Sequence, residues 1–365
     1  MAHEIDFIGT DKVSKDYDAI AFRFKSNGRF VNCVFDGGTL EACEALETHL
    51  KAYYINLENP KLDYVFCSHS DTDHSSGLRT ILENFKVKNL VMNRPWEYLD
   101  DLYKKVSDGR ITRESLEKTL REKYSMIDEL EKLAKEKGVN IVSGVSGVVL
   151  APEMMIMSPA KDFYIELLAE SEKTPNMAAN NKSLANSFAS VAKSAMTTLA
   201  KLINAVWGHD DIREGLETTP ENEMSIVLRV DPPEDKPFLL VGDAGCRALT
   251  KSLEYAEVIA KPLNECAFLQ MPHHGGRHNV SPSVLDKLIG VKVAKGTGST
   301  KTSYVSVGKD SDHPRKCVKN AFINRGCAVY VASSETKWHH HDMPSREGWS
   351  AAVPESYSNQ VEDWD

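Results

Sequence analysis

The stretch Tyr64-Val65-Phe66-Cys67-Ser68-His69-Ser70-Asp71-Thr72-Asp73-His74 sets the tightest limit on this chain, because a β-branched and aromatic run empties into four metal-capable side chains within six residues. Burying His69, Asp71, Asp73 and His74 without partners costs too much for them to belong to a packed core. A pair of divalent cations removes that cost. The stretch therefore predicts a strand followed by an extended metal-binding loop, in which residues two apart point the same way while the adjacent Asp73 and His74 diverge. One such loop feeds two neighbouring ions.

What surrounds this stretch excludes several classes. The chain has 365 residues, 41% hydrophobic and 27% charged, the composition of an ordinary soluble globular protein. No apolar run approaches the roughly 18 residues of a membrane span, and the first residues carry no basic and apolar leader, so the expectation is a cytoplasmic protein without a membrane partner. Seven cysteines, at 33, 43, 67, 246, 266, 317 and 327, form no Cys-x-x-Cys pair. That spacing predicts buried thiols rather than a disulfide framework or a thiolate zinc site. The net charge of −9 opposes binding of polyanions, and no dense Lys/Arg block supplies a local basic patch.

Along the chain, Ala19 to Phe24 and Phe30 to Phe35 predict paired strands across Ser26-Asn27-Gly28, and the second ends in Asp36-Gly37-Gly38. Leu40 to Tyr54 and Leu78 to Phe85 have helical spacing, with a short strand at Asn89 to Met92. Leu116, Leu120, Ile127, Leu130 and Ala134 predict one long surface helix over Thr112 to Lys137, stopped by Gly138. Strands follow at Val139 to Leu150 and Met154 to Met157. Leu184, Phe188, Val191, Ala195, Leu199, Leu202 and Val206 then predict a second helical insert, read as a lid, an oligomer contact or ordinary core packing. Ser225 to Val230 and Phe238 to Val241 predict a hairpin that delivers Gly242-Asp243. Ala267 to Met271 runs into Pro272-His273-His274-Gly275-Gly276, and Val305 to Gly308 precedes His313-Pro314, a helix to Asn324 and a strand at Cys327 to Val331.

Five such motifs in order, each just past an apolar strand, resemble the signature series of the metallo-β-lactamase superfamily. Asp71 stands where most members have the second histidine of His-x-His-x-Asp-His. This departure is similar to the branch that holds the soluble domain of ComEC-type competence proteins and bacterial phosphorylcholine esterase. The resemblance implies an α/β fold, an αββα sandwich over residues 1–335, with helical insertions at about 95–138 and 165–220 and a C-terminal extension at 336–365. It implies one ion on His69, Asp71 and His273 or His274, a second on Asp73, His74 and His313, Asp243 bridging both, and Asp36 buttressing the loop.

Adjacent residues of an extended segment point apart, so His273 is assigned as the ligand and His274 as the general acid, with Asp73 also aiming the attacking hydroxide. Imidazoles and carboxylates together suit zinc or manganese. The expected activity is a dinuclear hydrolase of phosphate esters, a phosphodiesterase or nuclease acting on a phosphodiester, a nucleic acid or a nucleotide. A flavodiiron-like redox protein and a non-catalytic scaffold are the alternatives, and the oligomeric state is open, a homodimer included. Trp338-His339-His340-His341-Asp342 reads as a third metal site, a substrate flap or a solvated tail.

Overall fold

The computed structural model describes residues 2–56, 60–176 and 201–364. Two seven-stranded sheets form its centre. The first has the order β15 (Lys337–His341), β1 (His3–Phe7), β2 (Ala19–Ser26), β3 (Arg29–Gly37), β4 (Leu62–Phe66), β5 (Val87–Val91) and β6 (Asn140–Val142). The second has the order β14 (Cys327–Ala332), β13 (Lys301–Ser306), β12 (Phe268–Gln270), β11 (Phe238–Leu240), β10 (Val227–Val230), β8 (Met154–Ser158) and β7 (Val149–Ala151).

Strand alternation decides what lies between the sheets. In β2, Ile20, Phe22 and Phe24 point to the opposite sheet while Ala19 and Ala21 face the helical layer. Phe22 meets Phe238 edge-on at 5.6 Å and Phe7 meets Phe268 at 5.9 Å, so the two sheets face each other through aromatic contacts. Helices α1 (Leu40–His49), α2 (Thr72–Asn84) and α5 (Ser125–Lys137) cover the first sheet. On the second lie α8 (Cys246–Val258) and α10 (Lys316–Ile323). This is the expected αββα sandwich. All seven cysteines are free thiols, and no helix among the described residues is long and apolar enough to cross a membrane.

Several local expectations are corrected. The single helix predicted over Thr112 to Lys137 is two, α4 (Arg113–Lys123) and α5, broken at Tyr124 with φ −105° and ψ 46°. Leu120 and Ile127 keep one helical period across the break, so apolar spacing cannot show it. Tyr124 turns inward, is buried, and donates to Ser171 Oγ at 3.1 Å. The second helical insert falls largely outside the described residues, and its last part is a strand, β9 (Leu202–Asn204), paired with β16 (Gln360–Glu362). The 336–365 extension contributes β15 to the first sheet, so the triple histidine is an edge strand rather than a solvated tail.

Glu131 of α5 ties these short helices together. It accepts from Arg94 at 3.0 Å, Trp96 Nε1 at 2.9 Å and Arg121 at 2.9 Å, with Lys135 at 3.0 Å. Burial alone raises the carboxyl, but Arg121, Lys135 and Arg94 outweigh it and hold the pKa at about 2, below the ordinary 4.5. A depressed carboxyl contributes stability above its unfolded pKa and loses it as pH falls through the folded value. Between pH 4.5 and about 2, the parent is therefore expected to lose on the order of 1–3 kcal/mol that Glu131→Gln does not lose. Urea unfolding of both proteins at a series of pH values checks this; parallel curves would count against the ion-pair account.

Candidate metal centre

The centre is assembled at one end of both sheets, and Asp36 at the end of β3 starts it. Its Oδ1 accepts the Ser68 backbone N–H at 2.7 Å and its Oδ2 the Ser68 hydroxyl at 2.5 Å, while His74 Nδ1 lies 2.8 Å from Oδ2. Asp36 thus fixes the loop after β4 and the first turn of α2 at once, the buttressing the resemblance implied. Asp71 is the N-cap residue of α2 but its side chain makes no cap hydrogen bond. Its carboxylate turns instead to His69 Nε2 at 3.7 Å and Lys173 Nζ at 3.2 Å.

Asp73 and His74 do not lie on an extended loop. They occupy the first turn of α2, where successive residues diverge because a helix has 3.6 residues per turn. The helix can begin this close to β3 because Gly77 N donates to Gly38 O at 2.9 Å, and a Cβ on Gly77 would stand 2.1 Å from Gly37 O. From the other sheet, Gly242 (φ 52°) brings Asp243 in after β11, its backbone so close that a Cβ would meet Ser68 Oγ at 2.9 Å.

The adjacent histidines overturn another expectation. His273 (φ 47°, ψ 52°) and His274 (φ 54°, ψ 16°) form a left-handed turn, not an extended pair. Both rings reach the centre, with centroids 5.8 Å apart. Asp243 divides the donors. Its Oδ1 faces His74 Nε2 at 3.2 Å and His274 Nε2 at 4.0 Å; its Oδ2 faces His273 Nδ1 at 2.5 Å and His69 Nε2 at 3.9 Å. Asp73 Oδ2 stands 3.6 Å from His274 Nε2 and 3.8 Å from His74 Nε2.

One buried group, Asp18, His74, Asp243 and His274, has ligand atoms all within 4.8 Å of one another. Asp18 carried no sequence signal beyond preceding a strand; Gln270 Nε2 holds its Oδ2 at 2.9 Å while Gln270 Oε1 accepts from Val241 and Gly242. His313 is not in this group. Its Nδ1 is engaged by Asp16 at 2.7 Å, another residue without a sequence signal, and its ring lies 6.5 Å from that of His273. His274 Nε2, rather than a nitrogen of His313, is the atom found beside Asp73 and His74. His274 is buried with Nδ1 2.9 Å from Ser306 O and Nε2 turned inward, which does not suit the general-acid role assigned to it.

These residues fit a bound cation. The Nε2 atoms of His69, His74 and His274 and Oδ1 of Asp243 are buried and have no hydrogen-bond partner among the described residues. The opposite nitrogen of each ring is held, by Ser68 Oγ at 3.0 Å, Asp36 and Ser306 O respectively. Such outer contacts fix the tautomer and aim the free lone pair. Without a cation, burial favours neutral rings, but Asp243, Asp73 and Asp36 hold the His74 proton well above the ordinary range, and Asp73, Asp18, Asp243 and Asp16 push His274 up to about 10. Burial raises the Asp243 carboxyl, and His273 and His74 reverse this, keeping it well below the ordinary value. Protons and cations compete for the same lone pairs.

Residues 34–149 match the model of the metallo-beta-lactamase superfamily, a span that includes Asp36 and the His69 to His74 motif. Over that span the chain is similar to the metallo-β-lactamase superfamily. Among solved structures it is similar to the metallo-beta-lactamase SMB-1 (11% identity over 78% of this chain and 86% of that one, TM-score 0.32). It is similar also to Igni18, a metallo hydrolase from Ignicoccus hospitalis (13%, 94% and 100%, TM-score 0.38), and to the superfamily protein ST1585 from Sulfolobus tokodaii (13%, 81% and 91%, TM-score 0.31). No curated protein matches. The similarity found is to the superfamily, and none of it singles out the ComEC branch.

Asp36→Asn tests the aiming of His74. Asn keeps the size of Asp and tolerates the left-handed backbone at this position (φ 60°). The folded variant is expected to bind metal about 10–100-fold more weakly than the parent, read by titration of metal-stripped protein, while Asp243→Ala loses it outright. Parent affinity in both variants would remove Asp36 and Asp243 from the centre.

Proposed function

We propose that this chain is a hydrolase of the metallo-β-lactamase type, a phosphodiesterase that works with two divalent ions, zinc or manganese, sharing Asp243. The reading rests on the division of donors about that carboxylate: His69, Asp71 and His273 on the side of Oδ2, and Asp18, Asp73, His74 and His274 on the side of Oδ1. Bound there, the ions would lower the pKa of water and neutralise the phosphoryl oxygens. The protein's own residues do the rest.

A cleft of about 280 Å³ beside the centre is lined by Asp71, Asp73, Lys123, Tyr124 and Lys173. Two ammonium groups next to a cation site favour an anionic substrate. Lys173 is held at the rim by Asp71 and by the Tyr124 ring, 5.3 Å from its centroid, so it is positioned to meet a non-reacting phosphoryl oxygen. A cleft of this size and a chain of net charge −9 favour a small phosphodiester, such as a nucleotide, over a long nucleic acid. Asp73, one-third exposed, orients the attacking water.

Proton transfer to the leaving group falls to His313. Asp16 accepts its Nδ1 hydrogen, which leaves Nε2 as the working nitrogen of a partly exposed ring beside His273. Loss of such a group lowers turnover by about 10²–10⁴-fold. His313→Ala is therefore expected to keep the parent's metal content and lose activity of that order on bis(p-nitrophenyl) phosphate, whereas His274→Ala loses metal. Elemental analysis with kinetics in Mn²⁺ and Zn²⁺ checks both. Protein loaded with either ion that leaves phosphodiesters intact yet opens a thioester or lactam would sink the reading.

A further inference from the structure

At the other end of the first sheet, three imidazoles meet a carboxylate. His3 opens β1 and pairs in register with His341 of β15, while Ile5 pairs with His339. Residues opposite one another, and residues two apart, share a face, so His3, His339 and His341 all lie on the face of Ile5, which looks into the space between the sheets. The His339 ring lies 4.7 Å from Phe268 and that of His3 is stacked on Phe238 at 5.8 Å, both in the second sheet. Trp338 and His340, on the opposite face, stack at 3.7 Å and take no part.

From the turn between β10 and β11, Asp235 reaches across to this group. Its Oδ2 stands 3.3 Å from His3 Nδ1 and 3.5 Å from His341 Nδ1. His3 is 4% exposed, and its Nδ1 has no hydrogen-bond partner among the described residues. It is a buried polar atom aimed at a carboxylate without bonding to it. Ligand atoms at about 2.0–2.1 Å from a tetrahedral ion lie about 3.3–3.5 Å from one another. The two separations at Asp235 are of that length. The rings of His3 and His339 are 6.0 Å apart and those of His3 and His341 5.9 Å apart, and half of the His341 side chain is exposed.

We propose that His3, His341 and Asp235, with His339 as the fourth donor, form a second metal site for a zinc-class dication, structural in role, that ties the edge of the first sheet to the β10–β11 turn of the second. The site is separate from the Asp243 centre. The register puts His3 opposite Phe24, and Phe24 opposite Val31, five residues along β3 from Asp36 and thus about 17 Å away at 3.4 Å per residue. Three imidazoles and one carboxylate suit zinc, nickel or copper better than magnesium or calcium, and all four ligands in protein hands leave no position open for chemistry.

The test uses the full chain, stripped with chelator, dialysed against micromolar Zn²⁺ and freed of excess ion. His341→Ala combined with Asp235→Asn changes only side chains that reach the surface, and it is expected to hold one zinc fewer per chain than the parent with phosphodiesterase turnover unchanged. Equal zinc content in the two proteins overturns the proposal. The same comparison in an Asp243→Ala background keeps this readout apart from the fate of the catalytic reading. A second measurement needs no variant: in the parent, Zn²⁺ is expected to reduce carbethoxylation of His341 by diethyl pyrocarbonate at least tenfold, mapped by peptide mass spectrometry, and labelling that Zn²⁺ leaves unchanged overturns the site.

Discussion

One carboxylate, Asp36, holds the metal centre in place. With left-handed backbone at the end of β3, it takes the Ser68 amide, the Ser68 hydroxyl and His74 Nδ1 on its two oxygens. Strand β3, the loop after β4 and helix α2 are thereby locked to one another. The backbone contact of Gly77 with Gly38 brings α2 near enough for this to happen, and Gly242 lets the second sheet approach the same Ser68. Take away Asp36, and His69, His74 and Asp243 lose the frame that points them at a common volume.

The arrangement concentrates negative charge in a chain that is already acidic. Asp16, Asp18, Asp71, Asp73 and Asp243 all lie within reach of one small space, and among the described residues Lys173 is the ammonium group that pairs directly with one of them. Burial of so many ionisable groups is tolerable when opposite charge is supplied. Without a cation, the surrounding carboxylates favour the protonated forms of His69, His74 and His274 against the effect of burial. A bound dication would supply the same charge by displacing those protons.

Much of this was legible in the sequence, for a physical reason. Strands leave β-branched and aromatic runs, and each run here ended in residues that are costly to bury, so the positions of His69 to His74, Asp243, His273 and His274 at strand ends followed directly. What escaped notice had no such pattern. Asp16 and Asp18 lie ahead of β2 in a stretch without periodicity, and Lys173 follows α6 (Lys161–Glu170) as one lysine among many. The His273-His274 pair turns left-handed where its sequence reads as extended, and the break at Tyr124 leaves the apolar period intact. The sequence does not show the triple histidine to be a strand because its partner, β1, lies more than 330 residues away.

That last pairing has a consequence for how the protein is made. β1 is joined to β2 on one side and to β15 on the other, so its pairing is finished by a strand made about 330 residues later in the chain. Until then β1 is an edge, with unpaired backbone groups and the buried charges Glu4 and Asp6 lacking Arg346, which holds both at 2.7–2.9 Å in the folded chain. Open edges of this kind invite pairing with other chains, and contacts so distant in sequence form slowly. From the synthesis of β1 to that of β15 the first sheet stays incomplete, and the safe arrival of the fold depends on how quickly β15 closes the edge.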